Sequence, residues 1–138
     1  MPEAEFIPAG SDVNQAHLFA CKLITEILLN EKKFPLINRI DVRSLSAIEA
    51  ENLDHLLWFT PEDVIIPHNL IHEKDKHSFI NIGYPGGKFI KGENKILVNL
   101  NPDLPDEIGD YQFLYQLVIE DGDRLRERAA NSWKKCKK

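Results

Sequence analysis

Short runs rich in isoleucine, valine and aromatic residues alternate with longer segments of helical periodicity, and this alternation constrains the fold most. Ser11 and Asp12 can cap a first helix, and Gln15, three residues after Asp12, can complete a capping box. Ser44 or Ser46 can cap a second helix. The inward-facing positions predicted are Ala16, Phe19, Ala20, Leu23, Ile27 and Leu28 in the first helix, and Leu45, Ile48, Leu53, Leu56 and Leu57 in the second.

The strand candidates lie between and after these helices. FPLIN at residues 34–38 has strand length, and SFINIGYP and KILVNLNP are rich in β-branched residues, with turn residues between them. EFI before Pro8 predicts a very short first strand. After Pro105, the acidic DEIGDYQFL predicts a helix start, YQLVIE a strand, and Asp123 the start of a last helix. This order predicts one domain over residues 1–138, an α/β sandwich with a mainly parallel sheet.

Nucleotide and metal sites are the first functions to consider for such a fold. No GxGxxG follows a predicted strand, and GYPGGKF has the wrong glycine spacing for a phosphate loop, with Phe89 where Ser or Thr would bind magnesium. His68 and His72 are four residues apart with His77 beyond, but Pro67 argues against the helix that zinc binding at this spacing needs. We therefore predict no cofactor, no metal site and no catalytic constellation.

Charge is distributed unevenly along the chain. Residues 1–122 contain 10 basic and 20 acidic residues, whereas residues 123–138 contain seven basic and two acidic residues. An acidic body does not suit broad nucleic-acid binding, but a short cationic end suits one acidic partner, either a phosphate backbone or an acidic peptide. Cys21 and Cys136 have no disulfide framework, and MPEAEFIPAG lacks the basic residues of a leader, so a cytoplasmic protein with free thiols is expected.

One stretch, LDHLLWFTPEDVIIPHNL at residues 53–70, places a tryptophan at a helix end before a proline-punctuated apolar loop. It resembles the signature of the chi subunit of bacterial DNA polymerase III, in which Leu-Asp-x-x-Leu-Trp precedes a hydrophobic-Pro-His-x-Leu element. INIGYP, KILVNLNPDLP and the C-terminal DRLRERAANSWKKCKK resemble later segments of that family. This chain departs from the family at Ile65, where Phe is frequent, at Ala130, where a basic residue is frequent, and in its short first strand.

The resemblance implies a three-layer Rossmann-like sandwich that lacks a nucleotide-binding loop, and a non-catalytic adaptor. The chi subunit binds the psi subunit of the clamp loader and the acidic C-terminal tail of single-stranded-DNA-binding protein, so DNA contact would be indirect and no membrane is involved. His68 and Asn69 share the first motif but are assigned no contact. By position in the motifs, Trp58, Ile65 and Pro67 fall at the psi contact, and Ile119, Arg126, Trp133 and Lys134 fall at the tail contact.

Two other functions are compatible with the residues alone. The basic C-terminal segment could bind nucleic acid directly, in which case binding should weaken steeply with salt. The chain could also be a small α/β enzyme that binds a nucleotide through an unrecognised site. Structural roles are open too, since Trp58 could cover its own core and Trp133 could pack beside the small apolar stripe of the last helix.

Overall fold

The computed structural model describes residues 3–29, 39–59, 68–70, 80–85, 89, 95–105, 108, 111–119 and 131, and the fold is described for these residues. They form two helices, α1 (Val13–Leu29) and α2 (Ala47–Phe59). The strands of the described residues are β1 (Glu3–Pro8), β2 (Arg39–Arg43), β3 (His68–Leu70), β4 (Ile80–Gly83), β5 (Lys95–Asn99) and β6 (Tyr111–Val118).

The described strands form one sheet in the order β1-β6-β5-β2-β4-β3, and every pairing between neighbours is parallel. The first strand is longer than expected and pairs with β6 from Glu3 opposite Phe113 to Pro8 opposite Val118. Proline ends this strand without disrupting a ladder, because β1 lies at the sheet edge. The Rossmann-like α/β class predicted from the sequence is confirmed.

Local capping explains where both helices begin. The Asp12 carboxylate accepts a hydrogen bond from the Gln15 backbone N–H at 2.8 Å, and the Gln15 side chain accepts one from the Ser11 backbone N–H at 2.8 Å, a variant of the capping box. Gly10 has a φ of 115°, and a Cβ there would lie 2.5 Å from the Gln15 Cβ, so this tight β1–α1 turn needs glycine. Helix α2 is capped by Ser46, whose hydroxyl accepts from the Glu49 N–H at 3.2 Å.

Apolar side chains cover both faces of the sheet, since neighbouring strand residues point to opposite sides. Ile96 and Val98 belong to the main core with both helices, whereas Leu97 joins Leu114 and Tyr111 in a second cluster on the opposite face. The predicted inward positions of α1 are confirmed, since all of them are buried or packed against the main core. The same holds for these positions of the second helical segment: Leu45, Leu53, Leu56 and Leu57.

Four sequence predictions differ from the structure or lie outside its described part. Ile48 was predicted to face inward, but it is 70% exposed, because it lies about 160° around the helix from the buried Ala50. Residues 111–114 were predicted to start a helix and instead begin β6, where Tyr111 and Leu114 are buried. The FPLIN strand and nearly all of the last predicted helix lie outside the described residues, apart from Asn131, which is helical.

Candidate partner-binding surfaces

Trp58 lies in the last turn of α2 and is 44% exposed, although the residue before it is fully buried. Leu53 and Leu57 are four positions apart and fix the inner face of the helix in the core. One further residue rotates the side chain by about 100°, which carries Trp58 to the flank of the helix. The sequence therefore places this tryptophan on helical backbone, at the boundary between the core and solvent.

Helix α2, which carries Trp58, packs against the edge strand β3. It also packs against β4, and β3 is the next described element of the chain after α2. Pro67 directly precedes β3 in the chain, and Ile65 lies two residues earlier; both lie outside the described residues. The prediction that Trp58, Ile65 and Pro67 form one surface therefore stays a prediction. The chain order supports it only in that Ile65 and Pro67 lie between α2 and β3 in the sequence.

Helix α2 contains three acidic residues, of which Glu51 is exposed, and carries a second exposed apolar residue. Glu49, Glu51 and Asp54 belong to this helix, which contains no lysine or arginine. Ile48 and Trp58 are two of the large hydrophobic residues that remain exposed within the described part of the chain. The solvent side of α2 thus combines apolar and acidic groups.

Ile119 directly follows β6 and has a different environment from Trp58. It is 2% exposed and belongs to the main core cluster, next to the point where the Ala9 N–H donates to the Val118 carbonyl at 2.8 Å. Arg126, Trp133 and Lys134, the other residues predicted to bind the acidic tail, lie outside the described residues. The structure thus locates the start of the C-terminal segment at the carboxyl end of β6.

The two predicted surfaces therefore start at different places in the sheet. Ile119 follows the carboxyl end of β6, while Trp58 lies in the last turn of α2, the described element that precedes β3 in the chain. Strands β5, β2 and β4 separate β6 from β3. Four interstrand spacings of about 4.8 Å give a separation of roughly 19 Å across the sheet alone. The partner contacts predicted at these two positions stay predictions.

The carboxyl ends of β2 and β5 are where open α/β sheets usually bind nucleotides, because the connections that follow these neighbouring strands leave in opposite directions. Here Asn99 donates to the Gln116 side chain at 2.8 Å and to the Asp103 carbonyl at 3.0 Å. Gln116 donates to the Asn101 carbonyl at 2.8 Å, and the Arg43 guanidinium donates to the Asp103 carbonyl at 2.6 Å. The Asn99, Gln116 and Arg43 side chains at this position thus bind one another or nearby backbone carbonyls, whereas the buried Ser44 hydroxyl, directly after β2, makes no hydrogen bond with the described residues.

A buried charged cluster that the sequence analysis missed lies on the sheet face opposite α1 and α2. Oδ2 of Asp41 accepts from Nζ of Lys95 at 3.2 Å and from the Tyr111 hydroxyl at 2.8 Å, and Nζ lies 4.6 Å from the Tyr111 ring centre. Burial raises the pKa of Asp41, while Lys95 and Tyr111 oppose that rise. The segment RIDVR carries a signal for this strand, since charged residues alternate with Ile40 and Val42, but the apolar run FPLIN predicts a strand at residues 34–38 instead.

A second buried titratable group joins the two helices. Nε2 of His17 on α1 lies 3.6 Å from a carboxylate oxygen of Glu49 on α2. Burial lowers the pKa of His17, and the smaller effect of Glu49 raises it, so the neutral imidazole is favoured. The Cys21 thiol is also buried, which raises its pKa to about 12 and makes it unreactive as a thiolate.

The described residues contain no group of three or more side chains suited to hold a metal ion. His72 and His77 lie outside them, as do Gly86, Gly87 and Lys88 of the glycine-rich segment. Neither described helix has the length and apolar character needed to cross a membrane.

Residues 1–138 match the sequence profile of a family described as DNA polymerase III chi subunit, HolC. The match spans the whole chain and therefore includes both the LDHLLW segment and the basic C-terminal segment. No curated protein sequence matches the chain. The resemblance drawn from residues 53–70 is confirmed at the level of the family.

Proposed function

Because the chain belongs to the chi-subunit family of DNA polymerase III, we propose that this accessory subunit is a non-catalytic adaptor. In this proposal it binds the psi subunit of the clamp loader through one surface and the acidic C-terminal tail of single-stranded-DNA-binding protein through another. It would act in the cytoplasm during DNA replication. The observation that carries the proposal is the family match over residues 1–138 together with the exposed position of Trp58.

Trp58 supports the psi-binding part of the proposal. A tryptophan that is 44% exposed leaves a large apolar area for a partner to cover, and tryptophan is enriched among residues that dominate binding energy. Its neighbour Leu57 holds the helix in the core, so the tryptophan is presented on a rigid element. Ile65 and Pro67, which precede β3 in the chain, complete the proposed psi surface.

The basic C-terminal segment supports the tail-binding part. Residues 123–138 contain seven basic and two acidic residues, and Trp133 lies among them. An acidic peptide that ends in an aromatic residue and a carboxylate would use apolar contact with Trp133 and charge-assisted hydrogen bonds from Arg126 and Lys134. Since Ile119 is buried, we assign it the role of supporting this surface from the core side.

The separation of the two positions supports the adaptor role. An adaptor must hold both partners at once, and roughly 19 Å across the sheet separates the strands next to these positions. The acidic body would also disfavour tight contact with DNA itself, since residues 1–122 carry twice as many acidic as basic residues.

Reciprocal substitutions test the proposal. Titration calorimetry would measure the binding of purified psi, and of a peptide copied from the tail of the single-stranded-DNA-binding protein, to the wild type, Trp58→Ala and Trp133→Ala. Trp58→Ala should weaken psi binding and Trp133→Ala should weaken peptide binding. Each should leave the affinity for the other partner within about twofold, because distant sites contribute independently. Failure of the unmodified chain to bind either partner would refute the adaptor function.

The basic segment also favours a second candidate function, direct binding of nucleic acid. In that case single-stranded DNA should bind the isolated chain, and a logarithmic plot of affinity against salt should have a slope set by the phosphates contacted. The adaptor proposal predicts weak DNA binding that the tail peptide does not compete for. Nucleotide hydrolysis that is lost in Lys88→Ala would instead favour an enzyme.

A further inference from the structure

We propose that the psi-binding surface continues along the whole exposed side of α2, from Trp58 back to Ile48, and receives a cationic amphipathic helix of the partner. This inference rests on the proposed function, because it extends the surface to which Trp58 is assigned. The four residues that form this surface, here called the α2 stripe, are Ile48, Glu51, His55 and Trp58.

The α2 stripe follows from helical geometry. Its members are spaced by three, four and three positions, and all four are exposed. At about 100° per residue they fall within roughly 80° of the helix circumference, and they extend over about 15 Å of its length. Ile48, at 70% exposure, and Trp58, at 44%, stand at the two ends. A single exposed isoleucine is ordinary on a protein surface, but here an exposed isoleucine and an exposed tryptophan stand at the two ends of one helical stripe, with the polar Glu51 and His55 between them.

A helix is the occupant that fits the α2 stripe best. The spacing of three, four and three is that of a helix seam, in which apolar side chains of a second helix pack against successive turns. A helix laid along α2 would meet Ile48 and Trp58 with apolar residues about three turns apart, and both apolar ends would be covered at once.

The charge of α2 determines the chemistry of that helix. Three acidic residues and no lysine or arginine belong to α2, and Glu51 is exposed between the two apolar ends of the stripe. A partner helix with lysine or arginine beside its apolar residues would pair with Glu51, whereas an acidic helix would be repelled. The binding of this helix should therefore weaken as salt is added.

The test uses the full-length chain and purified psi, with affinity measured by titration calorimetry. Ile48→Glu should weaken psi binding by about tenfold, because it places a carboxylate against an apolar contact. Leu18→Glu is the matched control, since Leu18 is 49% exposed on α1 and lies outside the α2 stripe. It should leave psi affinity within about twofold. Glu51→Lys should weaken binding at low salt and flatten the salt dependence.

The outcomes separate this inference from the proposed function. If Trp58→Ala weakens psi binding and Ile48→Glu does not, the extended stripe is wrong and the psi assignment stands. If the wild-type chain does not bind psi, the proposed function fails. Equal losses in Leu18→Glu and Ile48→Glu would overturn the α2 stripe in favour of a groove between the two helices. Loss of tail-peptide binding in Ile48→Glu would also overturn the inference, because the α2 stripe would then contact the chain's own basic segment. Conversion of a dimer to a monomer by Ile48→Glu would overturn it as well, because the stripe would then contact a second copy of the chain.

Discussion

Replacing Trp58 with alanine should weaken psi binding by about 2 kcal/mol, or roughly thirtyfold in the dissociation constant. The magnitude follows from the exposed part of the side chain. A tryptophan can bury about 250 Å². The 44% that remains exposed here therefore offers about 110 Å² to a partner. At about 25 cal/mol per Å² this area corresponds to roughly 2.8 kcal/mol, and the entropy lost when the interface becomes ordered lowers this value.

The assay must separate binding from folding, because more than half of the Trp58 side chain is already covered by its own chain. Circular dichroism and thermal unfolding would establish that Trp58→Ala is folded, and tail-peptide affinity would report on the rest of the molecule. Trp58→Phe keeps an aromatic contact and should lose less affinity than Trp58→Ala. The exposed Leu18 on α1, replaced by alanine, provides a control of similar exposure that should leave psi affinity unchanged.

Two results would refute this reasoning. A folded Trp58→Ala chain that binds psi as tightly as the wild type would show that the exposed ring contributes nothing to this interface. A chain that unfolds outright, with Trp58→Phe restoring both fold and affinity, would show that the tryptophan is a core residue and that its exposed area is incidental.

Three further predictions concern other parts of the chain. Arg126→Glu and Trp133→Ala should each weaken binding of the tail peptide by about tenfold and leave psi binding intact. Added salt should reduce the part of the peptide affinity that depends on Arg126. If fluorescence titrations give equal peptide affinities for the wild type and Arg126→Glu, the cationic segment is only a solvated surface. Burial lowers the pKa of His17 in the folded state, so as pH falls the histidine is protonated in the unfolded state before it is protonated in the folded state. The free energy of unfolding should therefore be highest above pH 6.5 and should decrease as pH falls toward the lowered pKa. Urea unfolding at several pH values should show this loss in the wild type and less of it in His17→Gln; the opposite trend would mean that the Glu49 ion pair dominates. Gly10→Ala should lower the free energy of unfolding by about 1 to 3 kcal/mol, because its φ of 115° and the crowded turn both disfavour a Cβ; an unchanged melting temperature would show that the turn relaxes.

The fold was predictable where one signal dominated the local sequence. Helix α1 has a strong apolar period and a polar start, and β4 and β5 have isoleucine or valine at alternate positions. The strand β2 was not predicted, because Arg39, Asp41 and Arg43 give its sequence a polar character. Asp41 is nevertheless fully buried, and Lys95 and Tyr111, which are distant in sequence, supply its partners. Local pattern cannot reveal such a pairing, because it depends on which strands become neighbours.

The start of β6 and the exposure of Ile48 also show that local sequence pattern does not determine tertiary contacts. Acidic residues after Pro105 predict a helix start, yet Tyr111 and Leu114 pair with β5 and β1 and are buried there, so tertiary contacts override local preference. Ile48 was assigned to the core because it is apolar and close to the helical period, but Ala50 and Leu53 set the inner face. Apolar character alone does not determine which side of a helix is covered.

The candidate surfaces are predicted from motifs rather than from local periodicity, and their partner contacts stay predictions. Trp58 was predicted from a motif, and its 44% exposure agrees with a residue available to a partner. Burial of Ile119 could not be read from the sequence, since a residue at a strand end can face either the core or solvent. The α2 stripe was missed because Ile48 had been assigned inward, and only the observed exposure brings Ile48 and Trp58 into one line.

Simultaneous binding of both partners is the most direct test of the adaptor account. The dissociation constant of the labelled tail peptide should be measured for the chain alone and for the chain saturated with purified psi. The account predicts a ternary complex in which the peptide affinity changes by less than about twofold, because the two proposed surfaces share no residue and three strands separate β6, which Ile119 follows, from β3, which α2 precedes. Displacement of the peptide by psi would contradict it, since one surface would then serve both partners.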